Sequence, residues 1–158
     1  MEKKVFGYPK YDNHGEMILT TYENEYRDML MDIRVYKLEK NQTKIFTSND
    51  EEIAALLLNG KIEINVDGIE KIVSRKSVFL EGPYAGHVSH SKIISVKALE
   101  ETEILVQKTK NKVTFKSKLY TPEDAPWKYS SQGWYGNVAN RRVNTIIDHD
   151  IEPKSNMV

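Results

Sequence analysis

Apolar and polar residues alternate with a period of two along much of this chain, a pattern that favours β-strands over helices. The alternation is regular over residues 29–36 and 61–66, and turn-forming residues separate such segments. The sequence therefore predicts an all-β protein. Further strand candidates are residues 17–22, 44–47, 52–58, 69–73, 77–80, 92–99, 103–108 and 113–115.

Turn signals between these segments indicate how the strands connect. Asp67-Gly68 follows an apolar residue and precedes another, and this dipeptide suits a two-residue hairpin in which both central residues have positive φ. Loops are expected at Asn59-Gly60 and at residues 81–83. This spacing predicts a two-sheet jelly roll or small β-barrel. Residues 50–58 could instead form a helix capped by Asp50, but the apolar run before Gly60 favours a buried strand.

The region after residue 108 differs in character. Residues 109–142 contain few alternating apolar positions, and their aromatic residues and prolines are typical of a long functional connection. We therefore predict a barrel over residues 1–108 and a linker over 109–158 that delivers a strand at 143–147. Met157-Val158 resembles the first step of another strand, so a second barrel is expected to be missing from this chain.

Composition excludes several classes of function. Lys plus Arg and Asp plus Glu both number 23, so no net charge attracts nucleic acid or an anionic membrane. The lysines at 108, 110 and 112 are interpreted as protection of an edge strand. The chain has no cysteine, its first residues hold no apolar core long enough for a signal peptide, and no apolar run approaches the roughly 20 residues of a membrane span. A cytoplasmic protein is expected, without nucleic-acid or membrane partners.

The histidines and acidic pairs suggest no metal or acid–base site. His87 and His90 lie three residues apart in an extended segment, so they should point to opposite faces and cannot readily share one ion. Ordinary hydrogen bonds are expected for both. Glu51-Glu52 and Glu100-Glu101 are interpreted as solvated surface. No metal ligand and no catalytic residue is therefore assigned within this chain.

Arg141 and Arg142 are the candidate substrate-binding residues. The guanidinium group matches a carboxylate with two parallel hydrogen bonds, and aromatic residues precede the pair, a combination that suits a sugar acid. Two alternatives stay open: the arginines could be ordinary surface residues, or they could pair with Asp148 and Asp150.

Four motifs of this chain point to a known family. They are Gly136-Asn137-x-x-Asn140-Arg141-x-Val143-Asn144-x-Ile146-Ile147, Leu119-Tyr120-x-Pro122-Glu123-Asp124, Lys76-Ser77-Val78-Phe79 with Gly82-Pro83, and Leu56-x-x-x-Gly60-x-x-x-Ile64. With these motifs the chain resembles the bacterial 5-deoxy-glucuronate isomerases of inositol catabolism, which share a superfamily with the 5-keto-4-deoxyuronate isomerases. The resemblance covers nearly the whole chain, and its most specific part lies at residues 119–147.

The resemblance implies the first cupin jelly roll of a bicupin, about half of a sugar-acid aldose–ketose isomerase. It also implies a divalent, zinc-like metal in the missing second barrel, a small sugar-acid substrate and a homo-oligomer. Asn144 stands where such isomerases often carry histidine, so this position is not a catalytic histidine. The 158 residues alone are expected to be inactive. The alternative is a stand-alone, metal-free cupin that binds a ligand or a partner.

Overall fold

The computed structural model describes residues 9–157, and its regular structure is almost entirely β. Two short 3₁₀ helices, Arg27–Met29 and Trp134–Asn137, interrupt the strands. No helix among these described residues has the length and apolar character needed to cross a membrane. The strands are β1 (Glu16–Thr20), β2 (Asp32–Leu38), β3 (Thr43–Thr47), β4 (Glu51–Val66), β5 (Ile69–Arg75), β6 (Ala85–Val88), β7 (Ile93–Ala98), β8 (Thr102–Lys110), β9 (Lys118–Tyr120), β10 (Trp127–Ser130) and β11 (Arg141–Asn144).

The first nine strands form two antiparallel layers that share the 16-residue strand β4. One layer runs in the order β1-β2-β8-β4-β6-β9, and the other contains β3, β7, β4 and β5. The first half of β4 pairs with β8 and β6, and the second half pairs with β5 and β7. This arrangement confirms the predicted all-β jelly roll. It is open, because the hydrogen-bonded network of the described strands ends at β1, β3, β5 and β9.

The core lies between the two layers and is built from the inward positions of each strand. Within β4, Ile53, Ala55 and Leu57 face inward and are almost fully buried. Alternation along the strands places every second residue there, as the period of two requires. Other core residues include Leu38, Phe46, Ile62, Ile64, Val66, Val88, Ile94, Val96, Ile104 and Val106.

Three predictions about β4 and its hairpin met different outcomes. Residues 52–58 form a strand rather than a helix, as predicted, and Asp67 and Gly68 close the hairpin to β5 with φ of 50° and 93°. The loop predicted at Asn59-Gly60 is wrong. The strand continues through these residues with a register shift between Leu57 and Asn59, and Gly60 has a φ of 103°. A bulge therefore bends β4 from one layer into the other.

The strand predicted at 77–80 is also wrong. The Ser77 hydroxyl accepts a hydrogen bond from the Phe79 amide, and the Ser77 carbonyl accepts one from the Leu80 amide. This local bonding competes with strand pairing and forms a turn. The turn leaves Phe79 and Leu80 each 77% exposed.

Other strand boundaries differ where side chains bond the backbone locally. Residues 113–115 form no strand, because the Asn111 carboxamide oxygen accepts the Val113 amide hydrogen. Residues 29–31 lie at the short helix and its exit, so β2 begins only at Asp32. The strand predicted at 143–147 lies instead at Arg141–Asn144. Met157 is not in a strand, and Val158 lies outside the described residues.

The residues after β8 cover the outer face of the larger sheet. β9 pairs with β6, and Phe115 and Tyr120 pack against the ring of His87 at centroid distances of 4.6 and 6.5 Å. Tyr120 and Ala125 are each 1% exposed, so this layer is a small second core. β10 and β11 then form a separate two-stranded arm. The boundary proposed at residue 108 falls two positions before the end of β8.

Candidate functional site

The arm carries the two arginines chosen from the sequence. In its register Trp127 pairs with Asn144 and Tyr129 pairs with Arg142. Because side chains two apart on a strand share a face, Trp127 and Arg142 lie diagonally on one face of the arm. The Arg142 guanidinium carbon lies 3.7 Å from the centre of the Trp127 ring, a geometry that stabilises a cation through the negative face of the aromatic ring.

A cleft of about 390 Å³ separates the arm from the turn at Ser77. The arm contributes charge and one aromatic face, and the turn contributes an exposed apolar wall. The cleft is thus half cationic and half apolar, which suits a small anion with a hydrophobic face. Its lining residues are Val78, Phe79, Trp127, Arg141, Arg142 and Val143.

Neither arginine is neutralised by an acidic side chain in the part of the protein that the structure describes. Within residues 9–157, no carboxylate lies within 4 Å of the Arg141 or Arg142 guanidinium, so the salt bridges to Asp148 and Asp150 that the sequence left open do not form. Asn144, the departure noted in the sequence, donates its amide hydrogen to the Ala125 carbonyl at 2.5 Å. Asn144 therefore ties the arm to the body of the protein.

A second polar cluster, which the sequence did not predict, surrounds Glu52. Its side chain is 0% exposed, so the interpretation of Glu51-Glu52 as solvated surface is wrong for Glu52. Residues 52–55 are all buried because β4 is central and covered on both faces. Ala54 pairs with His87, which places Glu52 and His87 on the same outer face, opposite the core.

The Glu52 carboxylate is held by donors from three parts of the chain. Asn111 Nδ2 donates to Oε2 at 2.9 Å, and Ser155 Oγ and the Asn156 amide donate to Oε1 at 3.0 and 2.8 Å. His87 Nε2 lies 3.8 Å from Oε2, too far for a hydrogen bond but close enough to contribute its charge when protonated. Burial opposes ionisation, but these donors and His87 outweigh it, so the pKa of Glu52 is lowered.

The two histidines singled out in the sequence behave differently from each other. His90 has the expected ordinary contacts, with Ser91 Oγ at 3.2 Å and Thr114 Oγ1 at 3.3 Å. For His87 that expectation is wrong, because its buried Nε2 has no hydrogen-bond partner among residues 9–157. The sequence held only an indirect signal for this cluster: Glu52 and His87 are polar positions that alternate with the apolar core positions of β4 and β6.

The donor set near Glu52 does not fit a divalent metal ion of the kind that the resemblance implies for a second barrel. His87 and Glu52 supply only two strong donors, and both Glu52 oxygens already accept protein hydrogen bonds. Among the described residues, no group of three or more His, Asp or Glu side chains could hold an ion. A metal site in proteins normally draws on three or four such ligands.

The lysine-rich stretch does not protect a sheet edge, so that interpretation is wrong. β8 lies between β2 and β4, which makes Lys108 and Lys110 part of a central strand. Lys110 pairs with Asp50 at 2.7 Å, and Lys112 follows the strand in an irregular segment. Lys108 and Lys110 therefore lie at the C-terminal end of a central strand.

The fold and its sheet order place the protein among the cupin-type jelly rolls. Crystal structures of an IolB-like protein from Salmonella typhimurium LT2 and of Ylba from E. coli match it with TM-scores of 0.64 and 0.57. They are 17% and 12% identical to it, and each match covers 76% of this chain and 45% or 50% of the other.

The chain belongs to the KduI/IolB family, whose model matches residues 7–158. The 5-deoxy-glucuronate isomerase of Geobacillus kaustophilus (strain HTA426) is 30% identical over 116 residues. That match covers 72% of this chain and 41% of the relative, so the chain spans well under half of the relative's length. The resemblance inferred from the sequence is confirmed.

Proposed function

We propose that this chain is the N-terminal half of a sugar-acid isomerase of inositol catabolism, acting in the cytoplasm on a substrate such as 5-deoxy-glucuronate. Membership of the KduI/IolB family and the likeness to 5-deoxy-glucuronate isomerase support this proposal. The absence of cysteine is compatible with a reducing compartment.

The observation that carries a substrate role for this half is the cleft beside the arm. Two arginines that have no carboxylate partner among residues 9–157 line it, next to an aromatic ring. A sugar acid offers a carboxylate for a guanidinium and a ring face of C–H groups for Trp127 or Phe79. Arg141 and Arg142 are therefore proposed to bind the substrate carboxylate.

The isomerisation chemistry is assigned to a second barrel outside these residues. A divalent metal there would polarise the substrate oxygens while a base moves a proton between neighbouring carbons. The jelly roll described here would serve as scaffold and as a surface for a homo-oligomer. No residue of this chain is proposed to transfer the proton.

Calorimetric titration with D-glucuronate tests the substrate role. We expect saturable binding to the 158-residue chain that weakens by roughly tenfold in Arg141→Ala and Arg142→Ala, since losing one charge-assisted contact costs about 1.4 kcal/mol. Arg27→Ala, an exposed arginine outside the cleft, is the matched control. Equal binding by all variants, or equal affinity for uncharged glucose, would contradict the assignment.

Two further measurements test whether the isomerisation chemistry and the metal lie outside this chain. We expect no turnover of 5-deoxy-glucuronate by the isolated chain and no stoichiometric metal after dialysis. Turnover, or one tightly held ion per chain, would place the chemistry in this half. A reading frame that stops directly after Val158 would favour the alternative, a stand-alone ligand-binding cupin, and one that continues into a second barrel would favour the proposed half of an isomerase.

A further inference from the structure

Residues 152–157, called the strap below, lie against the outer face of the larger sheet through contacts that converge on one residue. Ser155 is 5% exposed although it lies near the end of the described chain. Its hydroxyl and the next backbone amide both donate to the same oxygen of Glu52, 103 and 104 residues away in sequence. Such a contact orders an otherwise irregular segment.

Asn111 links the strap to the other carboxylate oxygen. Its Nδ2 donates to Glu52 Oε2 at 2.9 Å and to the Lys154 carbonyl at 2.7 Å. Both Glu52 oxygens are therefore occupied, one directly by the strap and one by the residue that also holds the strap's backbone. Removing the carboxylate would leave several buried donors without a partner, which costs more than the loss of an average hydrogen bond.

The remaining contacts of the strap are weaker or more exposed. Asn156 Nδ2 donates to the Lys110 carbonyl at 2.8 Å at an exposed position. Gln107 Nε2 approaches the Met157 sulfur at 3.5 Å, and thioether sulfur is a weak acceptor. Hydrogen bonds to a buried carboxylate are stronger than either contact. The attachment of the strap thus depends chiefly on Glu52.

His87 is a second possible partner for the Glu52 carboxylate. Its buried Nε2 has no hydrogen-bond partner among residues 9–157 and lies 3.8 Å from Oε2 of a carboxylate whose oxygens are already bonded. If the strap leaves, Glu52 Oε1 loses two donors, while His87 remains beside the other oxygen of the same carboxylate. Because buried polar groups are normally paired, this position favours an alternative pairing between His87 and Glu52.

We propose that Glu52 is a latch for the strap: with the strap docked, Ser155 and Asn156 occupy the carboxylate, and with the strap released, Glu52 pairs with His87. The strap acts as a lid over the outer face of the sheet, and Glu52 is a positioning residue for it. The proposal does not depend on the isomerase assignment, because it uses only contacts within the jelly roll and its C-terminal extension.

Hydrogen exchange measured by mass spectrometry or NMR on the whole chain tests the latch. In Glu52→Gln we expect the Asn156 amide to exchange roughly tenfold faster or more, because a hydrogen bond to a buried charge is lost. Core amides of Ile94 and Val96 should keep their protection. Glu51→Gln is the matched control, since the Glu51 carboxylate accepts a hydrogen bond from Ser48 and the donors of the strap bond Glu52 instead.

A second variant keeps the test decisive if Glu52→Gln destabilises the whole fold. Ser155→Ala removes one donor and leaves the carboxylate intact, so strap amides should exchange faster while the His87 ring resonances shift towards those of a paired imidazole. Unchanged strap exchange in Ser155→Ala would overturn the proposal. So would equal acceleration of strap and core amides in Ser155→Ala, because the Ser155–Glu52 contact would then support the whole fold rather than the strap.

Discussion

Arg142 stacks on Trp127, with its guanidinium carbon 3.7 Å from the ring centre, and this contact organises the wall of the candidate cleft. Among residues 9–157, no aromatic ring lies beneath the adjacent Arg141 in this way. Adjacent strand positions project to opposite faces, so the two arginines are not equivalent even though both line the cleft. Arg142 is oriented before a ligand arrives, which lowers the entropy lost when a carboxylate binds.

Removing Arg142 should change the environment of Trp127. The chain has two tryptophans, so the measurement is made in a Trp134→Phe background. We expect the emission of Trp127 to shift to longer wavelength in Arg142→Ala, because one face of the ring becomes solvated. Arg141→Ala should leave the emission unchanged. The stacked geometry would be contradicted by an equal shift in both variants or by none in Arg142→Ala.

Gly60 should be far less replaceable than Gly68, although both have positive φ. A Cβ at Gly60 would lie 2.3 Å from Thr102 Oγ1 and 2.7 Å from the Glu101 carbonyl oxygen, whereas at Gly68 nothing lies within 4 Å. Gly68→Ala therefore meets only backbone strain, about 1 kcal/mol, and Gly60→Ala adds a steric clash for a total of about 3 kcal/mol or more.

Chemical denaturation of the two glycine variants provides the measurement. A similar loss of unfolding free energy in both would mean that the β4 bulge has room to relax around a methyl group. A neutral Gly68→Ala would instead indicate that the hairpin turn tolerates the left-handed conformation without strain.

The parts of the fold that the sequence predicted are those governed by local patterns. The alternation over 61–66 and the Asp67-Gly68 turn specify the hairpin β4–β5 by themselves. The bulge at Gly60 could not be predicted, because a glycine signals a turn and a bulge equally well and only the partner strands decide. The strand prediction at 77–80 failed for a related reason. The apolar residues suit a strand, but the hydrogen bond from the Phe79 amide to the Ser77 hydroxyl favours a turn.

The candidate site also has a part that the sequence predicted and a part that it did not. The arginine pair could be selected from the sequence because the guanidinium group has the same chemistry in a strand, a turn or a loop. The burial of Glu52 was not visible, because it requires a segment more than 100 residues away to cover the strand. A charged residue beside another charged residue is typical of a surface, and only the tertiary arrangement supplies the donors that reverse this expectation.

Leu57→Ala should destabilise the jelly roll much more than Ile45→Ala. Leu57 is 1% exposed in the centre of β4, and Ile45 is 64% exposed on β3. Truncation of a buried leucine removes apolar contacts and leaves a cavity, for a cost of about 2–5 kcal/mol, whereas an exposed strand position costs about 1 kcal/mol or less. Thermal unfolding of both variants measures the difference, and comparable losses would argue against the assignment of the core.

The buried carboxylate of Glu52 should make stability depend on acid pH. Because its pKa is lowered in the folded state, folding gains stability that is fully present above the ordinary glutamate pKa of about 4.3 and is lost as the pH falls through the folded value. The lowered pKa values of Asp12, Asp50, Asp67 and Asp124 act in the same direction, so the wild-type slope alone is not specific.

The difference between wild type and Glu52→Gln isolates this residue. Unfolding free energy measured from pH 7 down to pH 3 should fall less steeply below about pH 4.5 in the variant, because glutamine has no proton to gain. The two curves should therefore converge towards acid pH, where the wild-type carboxyl group is neutral as well. Glu51→Gln leaves all donors to Glu52 in place. Its curve should therefore not converge with that of the wild type. Parallel curves for wild type and Glu52→Gln over the whole range would mean that Glu52 contributes no ionisation-dependent stability.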